Sequence, residues 1–301
     1  MGKKFTIGVL IGNVHTAHPK DLMRGIRAAA SGMDVNVIYF LGTQSVRFNQ
    51  KFALEDFDYQ YNTVYDYAKL AKVDVLIIAY GSLCIFQKNE DKQAFLDKFA
   101  GIPYVLLEDA TDDPRGIYVM VDNFGGMQKC VEHLIIEHHL KHLVYLGGPE
   151  DNQDAIERKA AFLNVMAEHH LPVTPEMMAV GDYSEFVDNL VEQLLKDNPD
   201  AEAIISANDE MTVACYRVCK AHGLRIGKDI LITGFDDVER ARYSNPPLTT
   251  ASQDAYKMGQ IAVEKAVDIC AGRPVESVRL DAELIIRESC GCKVTRRAKE
   301  K

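Results

Sequence analysis

Ala203-Ile-Ile-Ser-Ala-Asn-Asp-Glu-Met211 passes from an apolar, β-branched run through polar residues into a segment that keeps helical spacing as far as His222. A strand covered on both faces reads as a continuous apolar run, and the helix behind it as a 3.6-residue period. The stretch therefore spells strand, turn, helix. The same handover recurs on either side of it. Apolar runs at Phe5 to Ile11, Val35 to Leu41, Val75 to Ala79, Tyr104 to Leu107, Ile117 to Val121, Leu143 to Leu146 and Leu231 to Gly234 predict further strands. Helical segments fall between them. Pro19 to Ala30 carries Leu22, Ile26 and Ala29/Ala30 on one stripe, and Gly125 to His138 carries Met127, Val131, Leu134 and Ile135. His222-Gly223 and Ala271-Gly272-Arg273-Pro274 are helix stops, the second closing a helix that begins near Tyr256. Such alternation predicts an α/β fold of two doubly wound parallel-sheet halves. Periodicity leaves open which half receives the helix after Leu248-Thr249-Thr250.

The 301 residues suffice for two domains of ~150 residues, each with its own core. No stretch approaches the ~18 uninterrupted apolar residues of a membrane span. Met1-Gly-Lys-Lys leads directly into the first strand, so the expectation is a cytoplasmic protein without signal peptide or membrane partner. Seven cysteines, at 84, 130, 215, 219, 270, 290 and 292, lie mostly inside apolar runs, which suits reduced core thiols rather than a disulfide framework. A formal charge of −10 argues against a nucleic-acid surface on this chain.

Ligands of open parallel sheets bind beyond the carboxyl ends of the strands. Here those loops hold Asn13-Val-His15-Thr16-Ala-His18, Gly42-Thr43-Gln44-Ser45, Tyr80-Gly81-Ser82, Glu108-Asp109, Asp122-Asn123, Asn208-Asp209 and Asp236-Asp237. Amides, carboxylates and hydroxyls with nearby aromatics suit a polyhydroxylated or heterocyclic small molecule. Plainer readings stand beside this one. Asp122 and Asn208 are also good helix N-caps, and Gly234-Phe-Asp-Asp237 is also a turn. His15 and His18 lack a third metal ligand; His138, His139 and His142 fit a solvated helix end; Cys290-Gly-Cys292 is too sparse by itself for a structural zinc site. No phosphate loop, dinucleotide fingerprint, nucleophile elbow or His-Glu-x-x-His occurs, so neither an enzyme, a cofactor nor a metal is expected.

Several segments taken together resemble the lactose-repressor and purine-repressor (LacI-type) family. They are Ala203 to Met211, Gly223-Leu-Arg-Ile-Gly-Lys-Asp-Ile230, Thr233-Gly-Phe-Asp-Asp237, Pro246-Pro-Leu-Thr-Thr250 and Met258-Gly259, in the family's order and spacing. Ile7-Gly-Val-Leu, Arg24-Gly-Ile26, Val121-Asp-Asn123, Gly147-Gly-Pro149, Glu157-Arg-Lys-Ala-Ala-Phe162 and Leu284-Ile-Ile-Arg-Glu-Ser289 agree. The resemblance implies a periplasmic-binding-protein type I fold with a ligand cleft between an N-terminal lobe (1–120 plus 253–280) and a C-terminal lobe (121–252 plus 281–292), with 293–301 as a basic tail or linker start. It also implies a sensor for a sugar, nucleobase or related metabolite, working as a homodimer. Arg158 would be the forked donor to the ligand, Asn208 and Asp236 its counterparts, then Asp122, with Asn13, Gln44 and Tyr80 from the first lobe. The dimer contact would use the apolar face near Leu22 and Ile26 with the aromatic-rich insertion 46–62. Family repressors begin with a DNA-binding headpiece that is absent here, and DNA would be reached only through it. The alternatives are the input domain of a diguanylate cyclase or other signalling protein, or a solute-binding protein.

Overall fold

The computed structural model describes residues 4–43, 58–83 and 89–293. Its strands are β1 Phe5–Gly12, β2 Val35–Gly42, β3 Val75–Ala79, β4 Tyr104–Leu107, β5 Gly116–Val121, β6 Leu143–Gly147, β7 Met178–Val180, β8 Ala203–Ser206, β9 Leu231–Asp236, β10 Thr249–Ser252, β11 Val278–Leu280 and β12 Glu283–Ile285. The helices are α1 Ala17–Ser31, α2 Tyr67–Leu70, α3 Tyr80–Leu83, α4 Asn89–Asp97, α5 Asn123–Glu132, α6 Gln153–Glu168, α7 Asp188–Asp197, α8 Asp209–Ala221, α9 Glu239–Tyr243 and α10 Ala255–Cys270. The chain divides into two compact units. One holds Met1–Val121, Asp151–Asp154 and Asp254–Leu280; the other holds Asp122–Glu150, Ala155–Gln253 and Asp281–Lys301.

In the first unit six parallel strands run in the order β11-β5-β4-β3-β1-β2. The central strands β3 and β4 are buried at every residue, as continuous apolar runs require, whereas the edge strand β2 alternates in exposure. Helix α10 packs along α1. The two meet at glycines: a Cβ on Gly25 would run into the Tyr256 carbonyl oxygen, and one on Gly259 into that of Leu22. Leu22 and Ile26 are fully buried. The apolar stripe of α1 therefore faces its own unit, and the expected dimer contact on Leu22 and Ile26 is corrected on that ground. The insertion assigned to that contact falls largely at residues 44–57, outside the described residues; a 3-10 helix, Asp58–Asp66, follows.

The second sheet has the order β12-β10-β9-β8-β6-β7, parallel except for β12, which pairs antiparallel with β10. The expected helix from Gly125 to His138 is found in two parts. After α5 the chain makes one π-helical turn, His133–Glu137, and leaves it with His139 in the left-handed region at φ 57°. Among the described residues no helix is long and apolar enough to cross a membrane.

Candidate functional site

Each sheet has a point where successive connections depart to opposite sides. In the first it lies between β1 and β3, since β1 pairs with both β2 and β3; in the second it lies between β6 and β8. In open parallel sheets, ligand crevices form outside the strand ends at such points. Several of the positive-φ residues stand at carboxyl ends of strands. Asn13 follows β1 at φ 52°, Glu108 follows β4 at φ 68°, and Asp236 and Asp237 close β9 at φ 121° and 53°. Non-glycine residues hold such conformations only where their surroundings impose them, and such positions cluster at functional sites.

In the second unit these ends converge on one charged side chain. Arg158, on α6, is 2% exposed. Its Nε donates to Asn123 Oδ1 at 2.9 Å and its Nη1 to the carbonyl oxygen of Ala207, just past β8, at 2.7 Å. Nη1 also lies 3.6 Å from Asp236 Oδ1. The guanidinium covers the Phe235 ring, with Cζ 3.8 Å from the centroid. Asp236 in turn accepts a short hydrogen bond from Gln253 Nε2. A second carboxylate, Asp209, lies under this layer, accepting from Thr250 Oγ1 at 2.7 Å and from the Val238 amide at 3.0 Å. Burial, and then the charge of Asp236, push the Asp209 carboxyl well above its ordinary value. Asp237 turns the other way, to Arg287 Nη2 at 2.5 Å and Arg242 Nη2 at 3.0 Å.

Among the residues picked from the sequence, Arg158 and Asp236 are thus brought together. Asn208 caps α8, its Oδ1 accepting from Met211 N at 3.0 Å while its Nδ2 donates to the Tyr183 carbonyl at 3.3 Å. Asp122 caps α5 through the Gly125 amide, 3.0 Å away. The Arg158 partner is its neighbour Asn123, which is wholly buried. In the first unit the Asn13 carbonyl accepts from the amide and hydroxyl of Thr16, both at 3.0 Å. Tyr80 belongs to the apolar cluster of that unit, edge-on to Phe95 at 5.8 Å. Gln44 lies outside the described residues.

Sequence reasoning did not choose Asn123, Phe235 or Gln253; the first two stand next to the chosen Asp122 and Asp236, whereas Gln253 follows β10, away in sequence from every chosen position. It also left Glu108 among the loop residues. Glu108 is buried, accepts from the Ser82 amide at 2.7 Å and hydroxyl at 2.8 Å, and meets His18 Nε2 at short range. Burial alone would raise this carboxyl, but the charge and hydrogen bond of His18, with the two bonds from Ser82, outweigh it and hold the value below the usual range. His18 is thus paired with a carboxylate.

Two such parallel sheets are those of a binding-protein-like α/β fold, and the chain belongs to the periplasmic binding protein-like domain family, whose model matches residues 131–290. It is 30% identical over 216 residues to the HTH-type transcriptional regulator CelR of Thermobifida fusca, covering 69% of this chain and 62% of that protein. It is 29% identical over 198 residues to the HTH-type transcriptional repressor PurR of Aliivibrio fischeri (strain MJ11), covering 64% of this chain and 56% of the repressor. The chain thus spans less than two thirds of the length of these curated relatives. Its fold matches that of the lac repressor dimer solved with operator and the anti-inducer ONPF, with a TM-score of 0.79 at 24% identity, over 96% of this chain and 82% of the other.

Proposed function

We propose that this chain is the small-molecule effector-binding domain of a LacI-type transcription regulator, which acts by binding and not by catalysis. The observation that carries the reading is the buried Arg158 on Phe235, held by Asn123 and the Ala207 carbonyl beside Asp236. A charge is kept out of water only where its surroundings hold it well, and a planar, forked donor held so rigidly at a strand-end crevice suits recognition of hydroxyls or a heterocycle. The reading also rests on the relatives, which are named as transcription regulators. The ligand class is a sugar, a nucleobase or a related polar metabolite. By likeness to the lac repressor dimer on its operator, the output is a change in a homodimer that reaches DNA through a separate headpiece. The net charge of −10 agrees with DNA contact lying elsewhere than on this chain.

The test is a thermal-shift screen of the purified chain against sugars, sugar phosphates, nucleobases, nucleosides and amino acids. A ligand at 100 times its Kd adds about 2.7 kcal/mol to the folded state, a rise of several degrees in Tm. The expected result is one class that stabilises the wild type and leaves folded Arg158→Lys and Asp236→Asn unmoved. Equal stabilisation of the variants, or no ligand class at all, overturns the reading.

A further inference from the structure

The geometry points to a tetrahedral zinc site in the second unit, formed by His133 and His138 at the end of α5 and by Cys290 and Cys292 after β12. The four donor atoms lie within 4.8 Å of one another. His133 Nε2 is 3.3 Å from His138 Nε2, 3.3 Å from Cys290 Sγ and 3.6 Å from Cys292 Sγ, and His138 Nε2 is 3.4 Å from Cys292 Sγ. With Zn–N of about 2.0–2.1 Å and Zn–S of about 2.3 Å, the edges of a tetrahedron are about 3.3–3.4 Å between nitrogens and about 3.5–3.6 Å between nitrogen and sulfur. These four distances lie within about 0.2 Å of those edges, and the remaining two are no longer than 4.8 Å.

Hydrogen bonding accounts poorly for the same arrangement. An imidazole nitrogen has either one hydrogen or one lone pair, so His133 Nε2 can satisfy one neighbour, yet three donor atoms converge on it. One cation at their centre satisfies all four. Two thiolates and two neutral imidazoles cancel the charge of a divalent ion, which lets it lie where His133 and Cys290 are buried. His138 and Cys292 are partly exposed and give the ion a way in. A donor set of two sulfurs and two nitrogens, with no oxygen, selects zinc over magnesium or calcium.

The backbone is shaped to the purpose at both segments. Five residues apart on an α-helix, His133 and His138 would stand roughly 140° apart around the axis. The π turn at His133–Glu137, whose bonds span five residues, brings them to one side. Opposite them, Gly291 takes φ 85°, so that the thiols of Cys290 and Cys292 face the same point. The Thr249 hydroxyl donates to Cys290 Sγ at 3.0 Å while accepting from the Arg287 amide at 2.9 Å, the kind of outer support that orients a metal-bound thiolate. Zinc here would pin the segment after β12 to the end of α5, two stretches more than 150 residues apart in sequence.

The test uses the whole chain, kept reduced with a phosphine, stripped by a chelator and given zinc or cobalt(II) alone. The expected results are one metal per chain, a zinc-dependent rise in Tm, and for cobalt a near-ultraviolet thiolate charge-transfer band with the intense visible bands of a tetrahedral ion. Cys292→Ser and His138→Gln should lose both the cobalt spectrum and the zinc-dependent rise, His139→Gln should keep both, and Thr249→Val should weaken zinc binding about 10–100-fold. Failure of the reduced wild type to hold stoichiometric metal, a weak six-coordinate cobalt spectrum, or unchanged binding in folded Cys292→Ser overturns the proposal. If a variant does not fold, the stoichiometry and cobalt spectrum of the wild type decide alone. None of these readouts depends on an effector, so this proposal and the sensor reading can fail separately.

Discussion

The guanidinium of Arg158 lies over the ring of Phe235, 3.8 Å from its centroid, with Asn123 and the Ala207 carbonyl fixing its plane. Removing it would take the cation from the largely buried Asp236 carboxylate and the Arg158 donor from the Asn123 oxygen. Breaking one partner of a buried charged pair costs about 3–5 kcal/mol, so Arg158→Ala should lower stability by that order in urea denaturation. Arg158→Lys keeps the charge but neither the fork nor the flat face, and should recover only part of the loss. Phe235→Leu isolates the ring: a desolvated cation over an aromatic is worth about 2 kcal/mol, and a similar loss is expected beyond the change in packing.

Asp209 makes the opposite prediction. Its carboxyl is raised, by burial first and by the Asp236 charge next, so the folded chain holds this proton to higher pH than the unfolded chain does. An acid of that kind costs stability as pH rises from the ordinary aspartate range of about 3.9 through its folded value. Asp209→Asn removes the cost and keeps the bonds: the amide oxygen accepts from the Val238 N–H while the amide nitrogen donates to Thr250 Oγ1. The variant should be as stable as the wild type or more so at neutral pH, with a flatter dependence of stability on pH. A loss of several kcal/mol at neutral pH would show that the ionised carboxylate is itself required.

Glu108 runs the other way again. Burial raises its carboxyl less than His18 and Ser82 lower it, so the net shift is downward. Its contribution is complete above the ordinary glutamate value of about 4.3 and fades as pH falls through the lower folded value. Glu108→Gln should lose about 1–3 kcal/mol at neutral pH and show a shallower fall of stability in acid. Parallel acid-unfolding curves for variant and wild type would assign the acid sensitivity to other groups.

How far the sequence discloses this molecule follows from what each element buries. β3, β4, β6 and β8 are covered on both faces and therefore spell themselves as unbroken apolar runs. β7, β11 and β12 are three-residue edge strands with partly exposed side chains, and so short a stretch carries no period. Arg158 was marked by the family's pattern, not by its own neighbourhood, because a guanidinium inside α6 has no local signature of burial. Asp122 was preferred to Asn123 because a cap and a ligand-facing side chain look alike in sequence, and only the helix start decides which one turns inward. Cys290-Gly-Cys292 is sparse by itself for the same kind of reason: His133 and His138 stand beside it only in the fold, and in sequence His138 reads with His139 and His142 as one helix end. In the structure the helix is over by then, and His142 Nδ1 lies 3.0 Å from Asp200 Oδ2 instead.

The contact between α1 and α10 gives the last prediction, because it separates a glycine used for closeness from one that is merely present. Alanine in a helix interior is favoured over glycine by about 1 kcal/mol, so Gly25→Ala and Gly259→Ala would stabilise isolated helices. In this fold each added methyl meets a backbone carbonyl on the facing helix, and a backbone cannot rotate aside as a side chain does. Overpacking costs about 1–3 kcal/mol, so either variant should be destabilised on balance, and the pair more than either alone. Gly32, which caps α1 at φ −88°, is the control: its added Cβ would sit 3.6 Å from the Ala29 carbonyl oxygen, an ordinary contact. Gly32→Ala should be neutral or gain up to about 1 kcal/mol through the unfolded chain. Thermal unfolding of the three single variants and of the double variant decides it. If Gly25→Ala matches Gly32→Ala, the two helices have room between them and α10 is held to its unit by its apolar face alone.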